Sequence, residues 1–98
     1  MTLQDFKSSL TQNHPSPSWS VQLQALWYDG KDQWKQAHDL VDQLDDLASA
    51  HVHAYLHRVE EDLWNARYWY NRAKQPEFKG SLEDEWETLV VLFLPKAH

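Results

Sequence analysis

The chain has 98 residues, six tryptophans, no cysteine and a formal net charge of −6. A chain of this length forms one domain, and its negative field opposes binding to the phosphate backbone of nucleic acids. Without cysteine it has no disulfide, no thiolate metal site and no cysteine nucleophile. We therefore expect a single domain that binds no nucleic acid, in a compartment such as the reducing cytoplasm.

The two ends of the chain carry no targeting or membrane pattern. The start, MTLQDFKSSL, lacks the basic residues and long apolar stretch of a signal peptide. The longest apolar run, LVVLFL at 89–94, is too short to span a bilayer. The glycines occur singly, so the chain has no phosphate-binding loop. We expect a cytoplasmic protein that does not associate with membranes and needs no cofactor.

Few residues break helices, since the chain has two glycines and four prolines. This composition predicts an all-α fold of about six helices. Thr2 and Asp5 form a capping-box pattern for the first helix, and Pro15 and Pro17 end the segment 1–17.

The next helix is predicted to begin at Ser18 and to run to Asp29, with Gly30 in the left-handed conformation after its end. Asp62 is the predicted cap of a later helix. The remaining predicted helices cover 32–44, 47–59, 63–73 and 81–94. The stretch LVVLFL also has the β-branched residues of a strand, but no partner strand is evident, so helix is preferred.

The chain contains an internal repeat. An offset of 29 positions places the second and third helices on the fourth and fifth. The matched pairs are Ala25 with Ala54, Tyr28 with His57, Asp32 with Glu61, Trp34 with Leu63, Ala37 with Ala66, Val41 with Tyr70, and Leu44 with Ala73. Each copy is a helix, a short turn and a second helix.

The second copy resembles a tetratricopeptide repeat. Ala54 matches the small residue of that family's first helix, and Ala66, Tyr70 and Ala73 match the small, aromatic and small residues of its second. The pattern HAYLHR…E.D…NA.YWY.RA is also similar to small bacterial proteins, a similarity that implies no activity.

The resemblance covers about residues 20–76. It implies antiparallel helix pairs within one domain of residues 1–98, capped by segments 1–17 and 81–94, with a concave face that binds peptides or proteins. The residues expected in the packing between helices are Ala25, Trp34, Ala37, Ala54, Leu63, Ala66, Tyr70 and Ala73.

The leading functional hypothesis is a non-enzymatic protein-interaction module whose partner is a protein, a peptide or a second copy of the chain. The residues expected to line its groove are Tyr28, His53, His57, Arg58, Trp64, Tyr68 and Trp69. The fifth helix carries aromatic residues on several sides. It is therefore either a central helix packed by its neighbours or a helix that exposes Trp64, Arg67 and Tyr68 to a partner.

The alternative hypothesis is a small metal-binding protein or enzyme. His53 and His57 have the four-residue spacing that places two imidazoles on one helix face, and Glu60 or Glu61 can supply a third ligand. A carboxylate beside a histidine can also transfer protons. Without a metal or catalytic role, these histidines would be hydrogen-bonding residues of the scaffold. His38 either reaches the same groove or stands in solvent.

Overall fold

A computed structural model of the protein describes residues 1–95. All regular secondary structure in this range is α-helical, which confirms the predicted fold class. The helices are α1 (Leu3–Ser9), α2 (Val21–Gly30), α3 (Trp34–Val41), α4 (Leu47–Val59), α5 (Leu63–Ala73) and α6 (Leu82–Phe93). Short turns join α2 to α3 and α4 to α5, and the helices of each pair pack along one another. Residues 96–98 of the predicted domain lie outside the described range.

Side-chain caps set most of the helix starts. Thr2 and Asp5 form the predicted capping box. The α2 cap is Ser20, which accepts a hydrogen bond from the Leu23 N–H at 3.2 Å, so the prediction of Ser18 is wrong. Ser18 instead bonds the Ser16 hydroxyl at 2.8 Å in the preceding turn. Asp46, Asp62 and Ser81 cap α4, α5 and α6.

The turn after α2 differs from its prediction. Gly30 is the last residue of α2 and has no positive φ, whereas Asp32 adopts the left-handed conformation with φ 59°. A left-handed residue ends the helical path, so α3 begins at Trp34 and not at Asp32, and it ends at Val41. Gly30 has a steric role, since a Cβ there would lie 3.0 Å from the Trp86 ring.

The same turn recurs 29 positions later, between α4 and α5. Glu61 has φ 63°, close to the value at Asp32. Backbone N–H groups close both turns in the same way: Gln33 donates to Tyr28 at 2.9 Å, and Asp62 donates to His57 at 2.9 Å. The sequence offset therefore corresponds to one turn geometry used twice.

The core has two parts. The larger is built on Phe6, Trp27, Leu56 and Leu89 and joins α1, α2, α3, α4 and α6, while the smaller contains Ala54, Ala66 and Tyr70. The small residues predicted between helices are buried, and Trp34 is partly buried. The predicted place of Leu63 there is wrong, because it is 53% exposed on the outer side of α5.

The stretch 89–94 is not a strand, because residues up to Phe93 belong to helix α6. Leu94 then turns to extended backbone before Pro95. Among the helices within 1–95, none has the length and apolarity needed to cross a membrane.

Candidate metal centre

Three histidines meet beside α4, against which both α3 and α5 pack. His53 and His57 are one helical turn apart on α4, so their rings stack, with centroids 4.8 Å apart and planes at 18°. His38 reaches them from α3, and its Nε2 lies 3.0 Å from Nε2 of His53. One ring nitrogen from each of the three lies within 4.8 Å of the other two.

Two tryptophans hold the histidine rings in place. Trp69 of α5 stacks on His53 with centroids 3.9 Å apart, and Trp34 stacks on His38 at 4.7 Å. The Trp34 indole is fixed in turn, because its N–H donates to the Leu56 carbonyl at 2.7 Å. Such packing limits the freedom of the imidazoles and preorganises the site for a ligand.

Burial controls the charge of the central histidine. Only 2% of His53 is exposed, and desolvation, followed by its neighbours His38 and His57, lowers the pKa of His53 to about 4. His53 is therefore uncharged at neutral pH, the form that binds metals. Its Nδ1 is buried and has no hydrogen-bond partner within residues 1–95. An unsatisfied buried polar atom is unusual and calls for an explanation.

Carboxylates lie beside the two outer histidines. His57 Nδ1 is 2.6 Å from Oε1 of Glu60 and 3.9 Å from Oδ2 of Asp62. A hydrogen bond from Nδ1–H to Glu60 fixes the tautomer and leaves Nε2 of His57 as the available lone pair, which is the arrangement common around metal-binding histidines. His38 Nε2 lies 3.8 Å from Oδ1 of Asp42.

The predicted ligand set therefore changes. The structure groups His53 and His57 with His38, and it places Glu60 in a separate group with His57 and Asp62, so Glu60 is not a third ligand beside both predicted histidines. Glu61 belongs to neither group of potential ligands within residues 1–95; it lies exposed in the left-handed turn. Asp62, which could complete a second group with His57 and Glu60, already caps α5 and accepts the Asn65 amide at 2.6 Å.

The cluster has the composition of a three-histidine metal site. A tetrahedral ion with bonds of about 2.0–2.1 Å holds its nitrogen ligands about 3.4 Å apart. One nitrogen pair here is at 3.0 Å and all three are within 4.8 Å, so their spacings bracket the distance that such an ion requires. Three protein nitrogens leave a fourth position for water or another ligand. The His38 side chain keeps 19% exposure and forms the outer edge.

The residues predicted to line a groove are distributed over separate environments. Trp64 is 74% and Tyr68 45% exposed on α5, whereas His53 and His57 are buried. Trp69 connects the two regions, since it stacks on His53 and meets the Tyr68 ring edge-on at 5.3 Å. Tyr28 is half-buried and packs edge-on against Trp27 at 5.3 Å. The exposed Trp64 and Tyr68 contradict the interpretation of α5 as a helix packed on all sides.

Arg58 belongs to a buried polar network. Its Nη1 donates to Oε1 of Glu85 at 2.6 Å, and its Nη2 donates to the Gly80 carbonyl at 2.9 Å. The Tyr70 hydroxyl donates to the other oxygen of Glu85 at 2.6 Å. Glu85 itself is fully buried. Burial and this bond raise the pKa of Tyr70, so its phenol stays protonated. Arg58 therefore ties α4 to α6, and it also lines a shallow pocket with Leu63 and Arg67 of α5.

Comparison of the chain with models of protein families, with curated proteins and with solved structures finds no match. The resemblance to tetratricopeptide repeats stays a prediction from the sequence.

Proposed function

We propose that this protein binds a divalent transition-metal ion through His38, His53 and His57. The observation that carries the proposal is the convergence of three imidazoles from two helices, two of them buried, with one ring nitrogen from each lying within 4.8 Å of the other two. A purely structural role would favour apolar residues here, because each buried ring nitrogen costs desolvation energy.

The ligand chemistry favours Zn²⁺, Ni²⁺ or Cu²⁺. Imidazole nitrogen suits these ions, whereas Mg²⁺ and Ca²⁺ prefer carboxylate and carbonyl oxygens. Glu60 supports the site through His57 and raises the basicity of that ligand. Three nitrogen ligands and an open position are typical of sites that exchange a bound water or small ligand.

Titration of the metal-free protein with Zn²⁺ and Ni²⁺ tests this proposal. We expect one equivalent to bind, with the fluorescence of Trp34 and Trp69 responding because both rings contact ligand histidines. The double variant His53→Ala/His57→Ala should lose at least about a hundredfold in affinity, since it removes two of three ligands.

The control is His14→Ala/His51→Ala, which also removes two histidines but leaves the cluster intact. It should bind the ion as the wild type does. Binding that is unchanged in the cluster variant, or lost equally in the control, would refute a site at His38, His53 and His57. Circular dichroism establishes that both variants remain helical.

A second candidate function is recognition of a protein or peptide by the α5 face, which we define as Leu63, Trp64 and Tyr68. These side chains are 53%, 74% and 45% exposed. Exposed tryptophan and tyrosine are typical anchors of interfaces. Arg72 lies beside them, 5.9 Å from the Tyr68 ring and 5.2 Å from the Trp69 ring.

Sedimentation velocity over a range of concentrations tests whether the α5 face binds a second copy of the chain. Self-association through this face should be abolished by Trp64→Ser and kept in the control Leu92→Ser, which removes an apolar side chain that is 56% exposed on α6. A wild type that stays monomeric at hundreds of micromolar would exclude the homo-oligomer and leave binding of a different partner, which selection from a peptide library would reveal.

A further inference from the structure

A cavity lies on the side of the molecule formed by α1, α2, α4 and α6. Neither the histidine cluster nor the α5 face contributes a residue to its lining. Its volume is about 500 Å³, within the range of small-molecule sites. Apolar side chains form most of its walls: Leu10, Val59, Leu82 and Trp86. Gly30 keeps it open at one end, because a Cβ there would approach both Trp86 and Leu10.

The carboxylate of Asp29 lines this cavity, and only one of its two oxygens accepts a hydrogen bond within residues 1–95. Oδ2 of Asp29 accepts a hydrogen bond from the Tyr55 hydroxyl at 2.6 Å, and no other side chain within residues 1–95 bonds this carboxylate. Desolvation raises the pKa of Asp29, and burial together with Asp29 raises the pKa of Tyr55. The phenol therefore remains a donor, and the carboxylate is poorly solvated when ionised. A cation placed against it would relieve that cost.

The charges around the cavity also select a cation. The lining contains three carboxylates, Asp29, Asp32 and Glu83, and one ammonium, Lys7. That ammonium is held by Glu87 at 2.6 Å, outside the lining. The net field in the cavity is therefore negative, which attracts cationic ligands and repels carboxylates and phosphates.

We propose that the cavity between α1, α2, α4 and α6 binds an organic amine whose ammonium group meets Asp29 and whose apolar body lies against Trp86, Leu10 and Val59. An ammonium has the three donors needed to satisfy the free carboxylate oxygen and water at the rim. Trp86 lines the cavity and supplies an apolar contact for the body of the ligand, and its N–H is already occupied by the Leu26 carbonyl at 2.9 Å. The site does not depend on metal binding.

The probe for this site is phenethylamine, with 2-phenylethanol and 3-phenylpropanoate as neutral and anionic analogues of similar shape. Two-dimensional NMR of labelled protein should show saturable shifts for the amine, with the Trp86 indole N–H and the Gly30 amide among the resonances that move. We expect the alcohol to bind at least about tenfold more weakly and the acid not to bind.

Asp29→Asn tests the role of the carboxylate, because the amide oxygen can still accept the Tyr55 bond while the charge is removed. We expect at least a tenfold loss of amine affinity and little change for the alcohol. Asp39→Asn removes the same charge from the exposed face of α3, outside the cavity, and should bind the amine as the wild type does.

Three results would overturn the proposal: equal affinity for the amine and the alcohol, unchanged amine binding in Asp29→Asn with its fold intact, or shifts centred on residues outside the cavity. Saturable binding of Ca²⁺ at Asp29, with no binding of phenethylamine, would also overturn the proposal. The site would then bind an inorganic cation. If Asp29→Asn fails to fold, Tyr55→Phe and the ligand series on the wild type decide the same question.

Discussion

Two buried polar groups within residues 1–95, the carboxylate of Glu85 and the imidazole of His53, differ in how completely they are satisfied. In the network of Arg58, Tyr70 and Glu85, each oxygen of the buried carboxylate accepts a bond of 2.6 Å. In the histidine cluster, the buried Nδ1 of His53 has no partner within residues 1–95. A satisfied network rigidifies the fold, whereas an unsatisfied one destabilises it. The contrast indicates a structural role for the network, whereas metal binding by the histidine cluster is the proposal that the measurements below test.

The largest effect should follow from breaking the satisfied network. Glu85→Ala leaves Arg58 with an unpaired charge and Tyr70 with an unpaired hydroxyl, and removal of one partner from a buried ion pair costs about 3–5 kcal/mol. Urea denaturation measures this loss. The control Glu87→Ala removes a partly exposed ion pair with Lys7 on the same helix and should cost less than about 1 kcal/mol. Similar losses in the two variants would contradict a structural role for Glu85.

An intermediate effect is expected from pH on the metal-free protein. His53 has an ordinary pKa of 6.5 when unfolded and about 4 when folded, so the unfolded chain binds more protons between these values. Stability is therefore fully present above pH 6.5 and falls as the pH is lowered towards 4, by an amount on the order of 3 kcal/mol. Denaturation across this range, with a chelator present, measures the slope.

The variant His53→Leu separates this contribution from those of other groups, because it removes the titrating imidazole. Its stability should depend less on pH between 6.5 and 4 than that of the wild type. His51 also has a pKa lowered by burial, so His51→Leu is the matched control and should retain most of the slope. Parallel profiles for wild type and His53→Leu would contradict the buried neutral imidazole.

The smallest effect should be the stability change of His53→Leu itself at pH 7.5 without metal. Leucine has a similar size and removes the unsatisfied Nδ1, which offsets the lost stacking on Trp69 and the lost hydrogen bond to His38. We expect a change within about 1 kcal/mol in either direction, since replacing poorly satisfied buried polar groups by apolar ones is close to neutral. A loss near that of Glu85→Ala would show that the histidine cluster, like the network, is structural.

The helices were predictable because local rules place them. Capping residues and breakers gave α4 and α5 their correct bounds, Leu47–Val59 and Leu63–Ala73. The start of α2 was not predictable, since both Ser18 and Ser20 are good caps. Between them lies Trp19, whose packing against Phe6 at 5.2 Å involves residues far apart in the sequence.

The histidine site was only half predictable. The spacing of His53 and His57 shows that they share a face of α4, but the third member, His38, reaches them through the packing of α3 on α4. The sequence does show that His38 follows Trp34 by four residues, a spacing that places both rings on one face of α3. The two rings stack in the structure. The exclusion of Glu61 depended on its left-handed backbone, a conformation that a non-glycine residue adopts rarely.

X-ray absorption spectroscopy at the zinc edge, on the one-to-one complex of wild type and His38→Gln, tests the central claim most directly. The wild type should show three nitrogen neighbours at about 2.0–2.1 Å with the outer-ring scattering of imidazole. His38→Gln should lose one imidazole from that shell. An all-oxygen shell in the wild type, or an imidazole count unchanged in His38→Gln, would contradict a metal centre built from His38, His53 and His57.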